Sequence, residues 1–532
     1  MSIFRIKSLA ATALALSLFV SVRAQKANWQ NLDLQQDTVF GISTEKAYTT
    51  LLKDKKPHPV IVAIIDGGVD TAHEDLKQVI WSNPKEIPGN GIDDDHDGYI
   101  DDVHGWDFIG GPKGDVEHDN LEVVRLVREQ TPFYDSLKNA GAIPATYQAG
   151  YNTFLKMKEE YETGRDRIQQ TVDGISRFKT ILDSIVKKMG KDTPTISDWQ
   201  GYTPSTGPEQ RVQMIVTHQL QTGMSYSTLV GEGIEAPLKH YQDELAYHYN
   251  IAYDPRSIVG DNYNDASQRY YGNTDVTGPD ALHGTHVAGI VAAVRHNGIG
   301  IDGIADDVQI MVLRVVPDGD ERDKDVANGI RYAADHGAKV INMSFGKGWP
   351  KNKAAVDEAV KYAMSKDVLL IHAAGNDGKD LDDTTNGNFP NPYYADGSGV
   401  AQAWITVGAS GRVDDSTLVA SFSNYGKKNV DVFAPGVQIY STITGSKYTY
   451  ESGTSMASPV VTGLAALIRE YYPKLKAAQV KQIIMESVVK PAHNVIVGSG
   501  PTKRTVMLSD ISVSGGVVNV YQALQAAAAF KR

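Results

Sequence analysis

Ser455 sits in Gly453-Thr454-Ser455-Met456-Ala457-Ser458-Pro459, between an extended stretch, 430–450, and an apolar run with helical period, 460–471. A small-residue turn between strand and helix holds a hydroxyl at a sharp bend. The free N–H groups of the helix start then point at whatever lies in front of them. A serine hydroxyl is a weak nucleophile by itself, so this chemistry needs a base and a group that orients the base. Candidates stand far away in sequence: Asp66 after the run 60–65, His283 at the start of a small-residue helix, and Asn376 after the run 368–374. Read alone, Asp66 fits a strand-ending turn as well as a site, and Asn376 fits a turn residue. A single histidine on such a helix is more often a core residue, the role assigned to His286.

A second constellation is acidic. Residues 93–102 read Asp-Asp-Asp-His-Asp-Gly-Tyr-Ile-Asp-Asp. Asp93, Asp95 and Asp97 alternate, Gly98 permits a sharp turn, and Asp101 follows. This spacing aims carboxylates and the Tyr99 carbonyl at one point, as a calcium loop does. The bidentate Glu of such a loop is missing, since His104 stands in its place. A flexible all-oxygen set favours calcium over magnesium, so structural calcium is the expected cofactor. The bland reading is a solvated acidic loop.

The elements that must position these residues alternate. Residues 60–65 are a continuous β-branched run, as expected of a strand buried on both faces of a parallel sheet. After 283–294 come a strand (308–316), a helix (325–336), a strand (338–343) running into Ser344-Phe345-Gly346, a helix (354–365) and a strand (368–374). A helix at 476–487 and a short strand pair follow the Ser455 helix. The pattern predicts an α/β fold: a mostly parallel sheet with helices on both faces, acids and turns lying at the carboxyl ends of the strands. Residues 120–271 differ. Apolar residues recur at Ile168, Val172, Ile175, Phe178, Leu182 and Ile185, the spacing of one helix face, and Gly-Pro stretches at 201–208 and 231–237 divide the region into several helices. It reads as a mostly α-helical insertion.

Composition bounds the rest. A net charge of −12 over 532 residues argues against a nucleic-acid partner. Arg5 and Lys7, the apolar stretch 9–20 and Val22-Arg23-Ala24 make residues 1–24 a signal peptide, followed by an N-terminal segment, 25–57. No later stretch is apolar enough to span a bilayer, so the mature chain is expected outside the cytoplasm, in periplasm or medium, without a transmembrane segment. The absence of cysteine excludes disulfides and thiolate metal sites.

Taken together, Ala63-Ile64-Ile65-Asp66, His283-Gly284-Thr285-His286-Val287-Ala288-Gly289, Val340-Ile341-Asn342-Met343-Ser344, Ala373-Ala374-Gly375-Asn376 and the Ser455 motif resemble the subtilisin-like serine proteases, the subtilases. The resemblance covers about 58–115 and 275–490 and assigns 58–119 and 272–532 to the peptidase domain. It implies an Asp66–His283–Ser455 triad in the family's own order, with Asn376 and the Ser455 N–H as oxyanion donors. It also implies a polypeptide substrate paired in extended form along Ser344, Phe345 and Gly346 and lying over Gly375, with Asp318-Gly319 near the opposite edge. Ala373-Ala374-Gly375 would leave an open pocket for a large apolar side chain, and Asp377 at its rim would accept a basic one.

Two departures stand out. Gly67 follows Asp66 where the family usually has Ser or Thr, so a hydroxyl donor to the carboxylate is missing. The segment 25–57 is short for a folding-assisting propeptide. The rival reading from another class is a calcium-dependent binding protein on the same scaffold, with recognition by the insertion.

Overall fold

The structure is a computed structural model and describes residues 27–498 and 500–530. The expected signal peptide, 1–24, lies outside the described residues. Seven strands form one parallel sheet: β1 (Val60–Asp66), β2 (Gly105–Asp107), β3 (Val308–Arg314), β4 (Val340–Met343), β5 (Leu369–Ala373), β6 (Trp404–Ser410) and β7 (Val432–Pro435), in the spatial order β2-β3-β1-β4-β5-β6-β7. The chain builds outward from β1 in both directions. β3 pairs with one edge of β1, bringing Asp66 opposite Arg314, and β4 pairs with the other. Such a switch in strand order opens a crevice beyond the carboxyl ends, where α/β sheets place their sites.

The unbroken apolar run of β1 has a simple cause. Val60, Val62 and Ile64 join the core on one face, with the helices α1 (Leu282–Ala292) and α4 (Thr454–Tyr471). Ala63 and Ile65 join the core on the other, with α2 (Asp323–Asp335) and α3 (Lys353–Ser365). Both faces are covered, so no position of β1 can be polar until the strand ends at Asp66. The expected α/β sheet with helices on both faces is therefore what the chain forms.

The sequence passed over several elements. β6 and the terminal helix Val520–Ala529 were not anticipated, and 430–450 is not one strand. It is β7 followed by an antiparallel hairpin, β8 (Ile439–Ile443) and β9 (Lys447–Glu451), whose turn carries Gly445 and Ser446 at positive φ.

The chain divides into two compact units. One contains the sheet: the described residues through Glu122 together with those from Asp254 on. Within it Arg256 is paired with Asp261 and Asp325, which ties residues 254–261 to α2. The other, Val123–Tyr253, is helical. Its main element is a 42-residue helix, Gln148–Met189, which buries Ile168, Val172, Leu182 and Ile185 on one face, as their spacing predicts. Gly207-Pro208 opens the helix Gly207–Gln221, capped by Thr206. The second Gly-Pro stretch does not break the chain as expected. Helical turns run from Tyr226 to His248, and a wide π turn, Gly231–Glu235, leads into the segment carrying Pro237 near its start. Among the described residues no helix is long and apolar enough to cross a membrane.

Candidate active site

Asp66 is the last residue of β1 and is buried. Its Oδ1 accepts the Gly67 N–H at 2.8 Å and lies 2.8 Å from His283 Nδ1. The two residues are 217 positions apart in sequence. Helix α1 reaches the strand end because Gly284 has no side chain: a Cβ there would meet the Gly68 carbonyl at 2.1 Å and the Asp66 Cβ at 3.1 Å. Among the described residues Asp66 Oδ2 has no hydrogen-bond partner, as the glycine at position 67 leads one to expect.

The imidazole of His283 is 44% exposed. Desolvation pushes its pKa down, but the charge and hydrogen bond of Asp66, with Glu451 and Asp280 further off, outweigh this and leave it above the ordinary value. Negative neighbours favour the imidazolium, so the neutral ring, which alone can take a proton, forms only at higher pH. His286 is different. Burial lowers its pKa to about 4, and its Nε2 lies 3.1 Å from the Ile439 carbonyl and 3.3 Å from that of Thr449. It joins α1 to the β8–β9 hairpin.

Ser455 lies in the first turn of α4, with Gly453 as the cap. Its Oγ donates to the Ser344 carbonyl at 3.0 Å, while Ser344 Oγ donates to the Ser455 carbonyl at 2.9 Å. No hydrogen bond joins Ser455 to His283 among the described residues. This reciprocal pair pins the helix start to the end of β4. Asn342 strengthens the joint: its Nδ2 donates to Ser344 Oγ, and its Oδ1 accepts from Ser458 at 2.9 Å and Thr462 at 2.8 Å. A buried asparagine in an otherwise apolar strand was the sequence signal for this role.

Asn376 follows β5 through Gly375, which turns at φ +95°. Asn376 Oδ1 accepts from Thr454 N at 2.8 Å and Thr454 Oγ1 at 3.0 Å, and Thr454 Oγ1 in turn accepts the Gly375 N–H at 3.1 Å. With the oxygen anchored, the amide Nδ2 is left to the cleft. Asn376 Nδ2 and the Ser455 N each lie 3.5 Å from the position a Cβ on Gly453 would take, so both donors border that glycine. Phe345 is half-buried and Gly346 exposed after β4, and beyond them Lys347 pairs antiparallel with Phe389. On the other side Asp318 pairs with His118, so part of that edge is already covered by the chain itself.

The acidic loop gathers ligand atoms in two overlapping groups, Glu86, Asp93 and Asp95, and Asp95, Asp97 and His336, each within 4.8 Å. Among the described residues Asp95 Oδ1 is buried without a hydrogen-bond partner, as a carboxylate oxygen reserved for a cation would be. Glu86, Asp93 and Asp95 are all oxygen donors and fit a hard cation, whereas in the other group His336 Nε2 lies 2.8 Å from Asp97 Oδ2 as an ion pair. Much of the loop also holds itself together: Asp93 accepts the N–H groups of Asp97 and Gly98, and Asp97 that of Tyr99. Asp101 belongs to neither group. Its carboxylate takes the N–H groups of Gly89, Asn90 and Gly91. Tyr99 is fixed by its ring, packed edge-on against Trp106, Phe108 and Tyr332. Glu86 was not expected; it lies outside the alternating motif and reaches it by accepting the N–H groups of Asp94, Asp95 and Asp101.

The chain is 46% identical over 187 residues to a thermophilic serine proteinase of Bacillus sp. (strain AK1), covering 35% of this chain and 42% of that protein. It is 38% identical to subtilisin DY of Bacillus licheniformis, covering 43% and 76% of the two chains. With thermitase of Thermoactinomyces vulgaris the identity is 41%, over 40% of this chain and 71% of that one. Residues 58–505 match the subtilase family, and the chain therefore belongs to this family of serine endopeptidases.

Proposed function

We propose that the chain cleaves peptide bonds in polypeptides by nucleophilic attack of Ser455, with His283 as general base and acid and Asp66 as its orienting carboxylate. The observation that carries the reading is the 2.8 Å contact of Asp66 Oδ1 with His283 Nδ1, made across the whole helical unit of the sequence. It holds a proton on Nδ1 and leaves Nε2 as the acceptor. On substrate binding the Ser455 hydroxyl turns from the Ser344 carbonyl toward Nε2, a step in keeping with the loose catalytic contacts of unliganded enzymes. Oγ attacks the scissile carbonyl as its proton passes to His283. The new oxyanion takes hydrogen bonds from Asn376 Nδ2 and the Ser455 N–H. Collapse expels the amine, which receives the proton from His283, and leaves an acyl-serine. Water, deprotonated by the same imidazole, adds to the acyl carbon, and the bond to Ser455 Oγ breaks as His283 returns the proton to Oγ, releasing the acid. Digestion of a denatured protein mixture, with the new termini read by mass spectrometry, tests the activity; an unchanged mixture rejects it.

Asn376→Leu removes one oxyanion donor and is expected to lower kcat by about 100- to 1,000-fold with little change in KM, a magnitude carried over from subtilisin. A rise in KM with kcat unchanged would assign Asn376 to ground-state binding instead. The raised His283 pKa makes a second prediction. The acidic limb of kcat/KM against pH lies above about 6.5. Glu451→Gln removes one of the charges that favour the imidazolium and should move the limb to lower pH. A limb below the ordinary histidine value, or one unmoved by the substitution, contradicts this electrostatics.

We further propose that the acidic loop holds a structural calcium ion through Glu86, Asp93 and Asp95. The ion would neutralise carboxylates that otherwise repel one another, stabilising only the folded state. Refolding from denaturant is expected to slow markedly or fail when a chelator is present and to recover with added calcium. Refolding at the same rate in both conditions excludes this role.

A further inference from the structure

The cleft that would hold an extended substrate has two edges, 344–346 after β4 and the segment from Asp318 after β3. Ser344 stands at the catalytic end, since its carbonyl lies 3.0 Å from Ser455 Oγ. In the proposed mechanism the leaving amine departs beside His283, whose charged neighbours are Asp66, Glu451 and Asp280. The residues on the amino side of the scissile bond then lie along 344–346. Gly346 is exposed, but the next residue, Lys347, is buried. Two features end the edge there. The backbone of Lys347 is already used: its N–H donates to the Phe389 carbonyl at 3.0 Å, and Phe389 N donates to the Lys347 carbonyl at 2.9 Å. Its side chain, 1% exposed, crosses to the other edge. There Nζ donates to the Glu321 carbonyl at 2.7 Å and pairs with Asp323 Oδ1 at 2.7 Å and Glu122 Oε2 at 2.9 Å. The Glu122 N–H in turn donates to Asp320 Oδ2 at 2.7 Å, on that same edge. A cavity lined by Glu321, Asp323, Val326 and Phe389 lies beside this bridge and measures about 10 Å³, room for a single water and not for a side chain.

A strand laid between two edges needs a spacing of about 4.8 Å to each of them. Beyond Gly346 a lysine side chain runs across that gap instead. Resting on the mechanism and the cleft proposed above, we propose that Lys347 closes the amino-side end of the cleft, so that recognition stops at the third residue before the scissile bond. A fourth residue meets a backbone at 347 that is bonded to Phe389 and a Glu321 carbonyl that is bonded to Lys347. Pushing the lysine aside would take the ammonium from two buried carboxylates, Glu122 and Asp323, which costs more than one further apolar side chain contributes. Longer chains must turn out of the groove after three residues, which chain ends and flexible loops can do.

The test measures kcat/KM on acetyl-capped peptides that carry one to five residues before the same scissile bond and an identical sequence after it. Wild type is expected to gain about tenfold between the first and third residues and to stay level, within about twofold, at the fourth and fifth. Lys347→Ala, with Glu122→Gln and Asp323→Asn added to relieve the charge left behind, opens the end. A leucine as fourth residue should then raise kcat/KM by about tenfold, the gain from burying one apolar side chain. A wild-type gain at the fourth residue as large as that at the third overturns the inference, whether or not the variant folds. So does a ladder that levels before the third residue, or a folded variant whose ladder still levels at three. A wild-type chain that takes a fluorophosphonate on Ser455 yet gains up to the fifth residue sinks this inference alone. One that neither reacts nor cleaves any of the peptides sinks the mechanism on which it rests.

Discussion

Ser455→Ala is expected to lower kcat for peptide cleavage by about 10⁶-fold, a magnitude measured in subtilisin and taken over here rather than derived from this chain. The physical reason is that the substitution removes the attacking oxygen of the proposed mechanism. In the proposed mechanism Oγ forms the bond to the scissile carbonyl, and Asn376 Nδ2 and the Ser455 N–H receive the oxyanion. The substitution should leave folding almost untouched. It loses one hydrogen bond, from Oγ to the Ser344 carbonyl, while Ser344 Oγ still donates to the backbone carbonyl of residue 455. An exposed or half-buried contact of this sort is worth about 1 kcal/mol. Kinetics and a thermal melt of the same sample separate the two effects: a large loss of turnover with a nearly unchanged Tm is the expected pair.

Asp66→Asn is expected to cost about 10⁴-fold in kcat. The carboxylate accepts two N–H groups through one oxygen, that of Gly67 and the Nδ1–H of His283. An amide oxygen there could still accept them, but the negative charge that stabilises the imidazolium would be gone. An amide turned the other way would present its NH₂ to Nδ1 and favour the wrong tautomer. The same substitution should pull the acidic limb of the pH profile down, because Asp66 is the main influence holding the His283 pKa up against burial. A loss of only a few-fold, with the limb in place, would mean that Asp66 does not orient the base.

The sheet was legible because its central strand obeys one constraint along its whole length. Both faces of Val60–Asp66 are covered by helices, so the β-branched run has no polar interruption and the first acid marks the strand end. Gly284, Gly375 and Gly453 were visible as small residues in motifs. Their reasons appear only in three dimensions: a close approach to Gly68, a turn at positive φ, and a wall beside two donors. What the sequence concealed follows from distance. Glu86 joins Asp93 and Asp95 from outside any calcium-loop spacing, and Asp101, which the spacing includes, is bound instead by the amides of residues 89–91. The wide turn at Gly231–Glu235 removed a predicted break because it lets the helical path reach Pro237 without interruption.

Whether Ser455 is an activated nucleophile can be read in one step. The intact chain is treated with a fluorophosphonate at neutral pH, and the modified peptide is located by mass spectrometry. A single adduct on Ser455, lost when His283 is replaced by alanine, is the predicted result. An unmodified Ser455, or labelling equally fast without the imidazole, would contradict it.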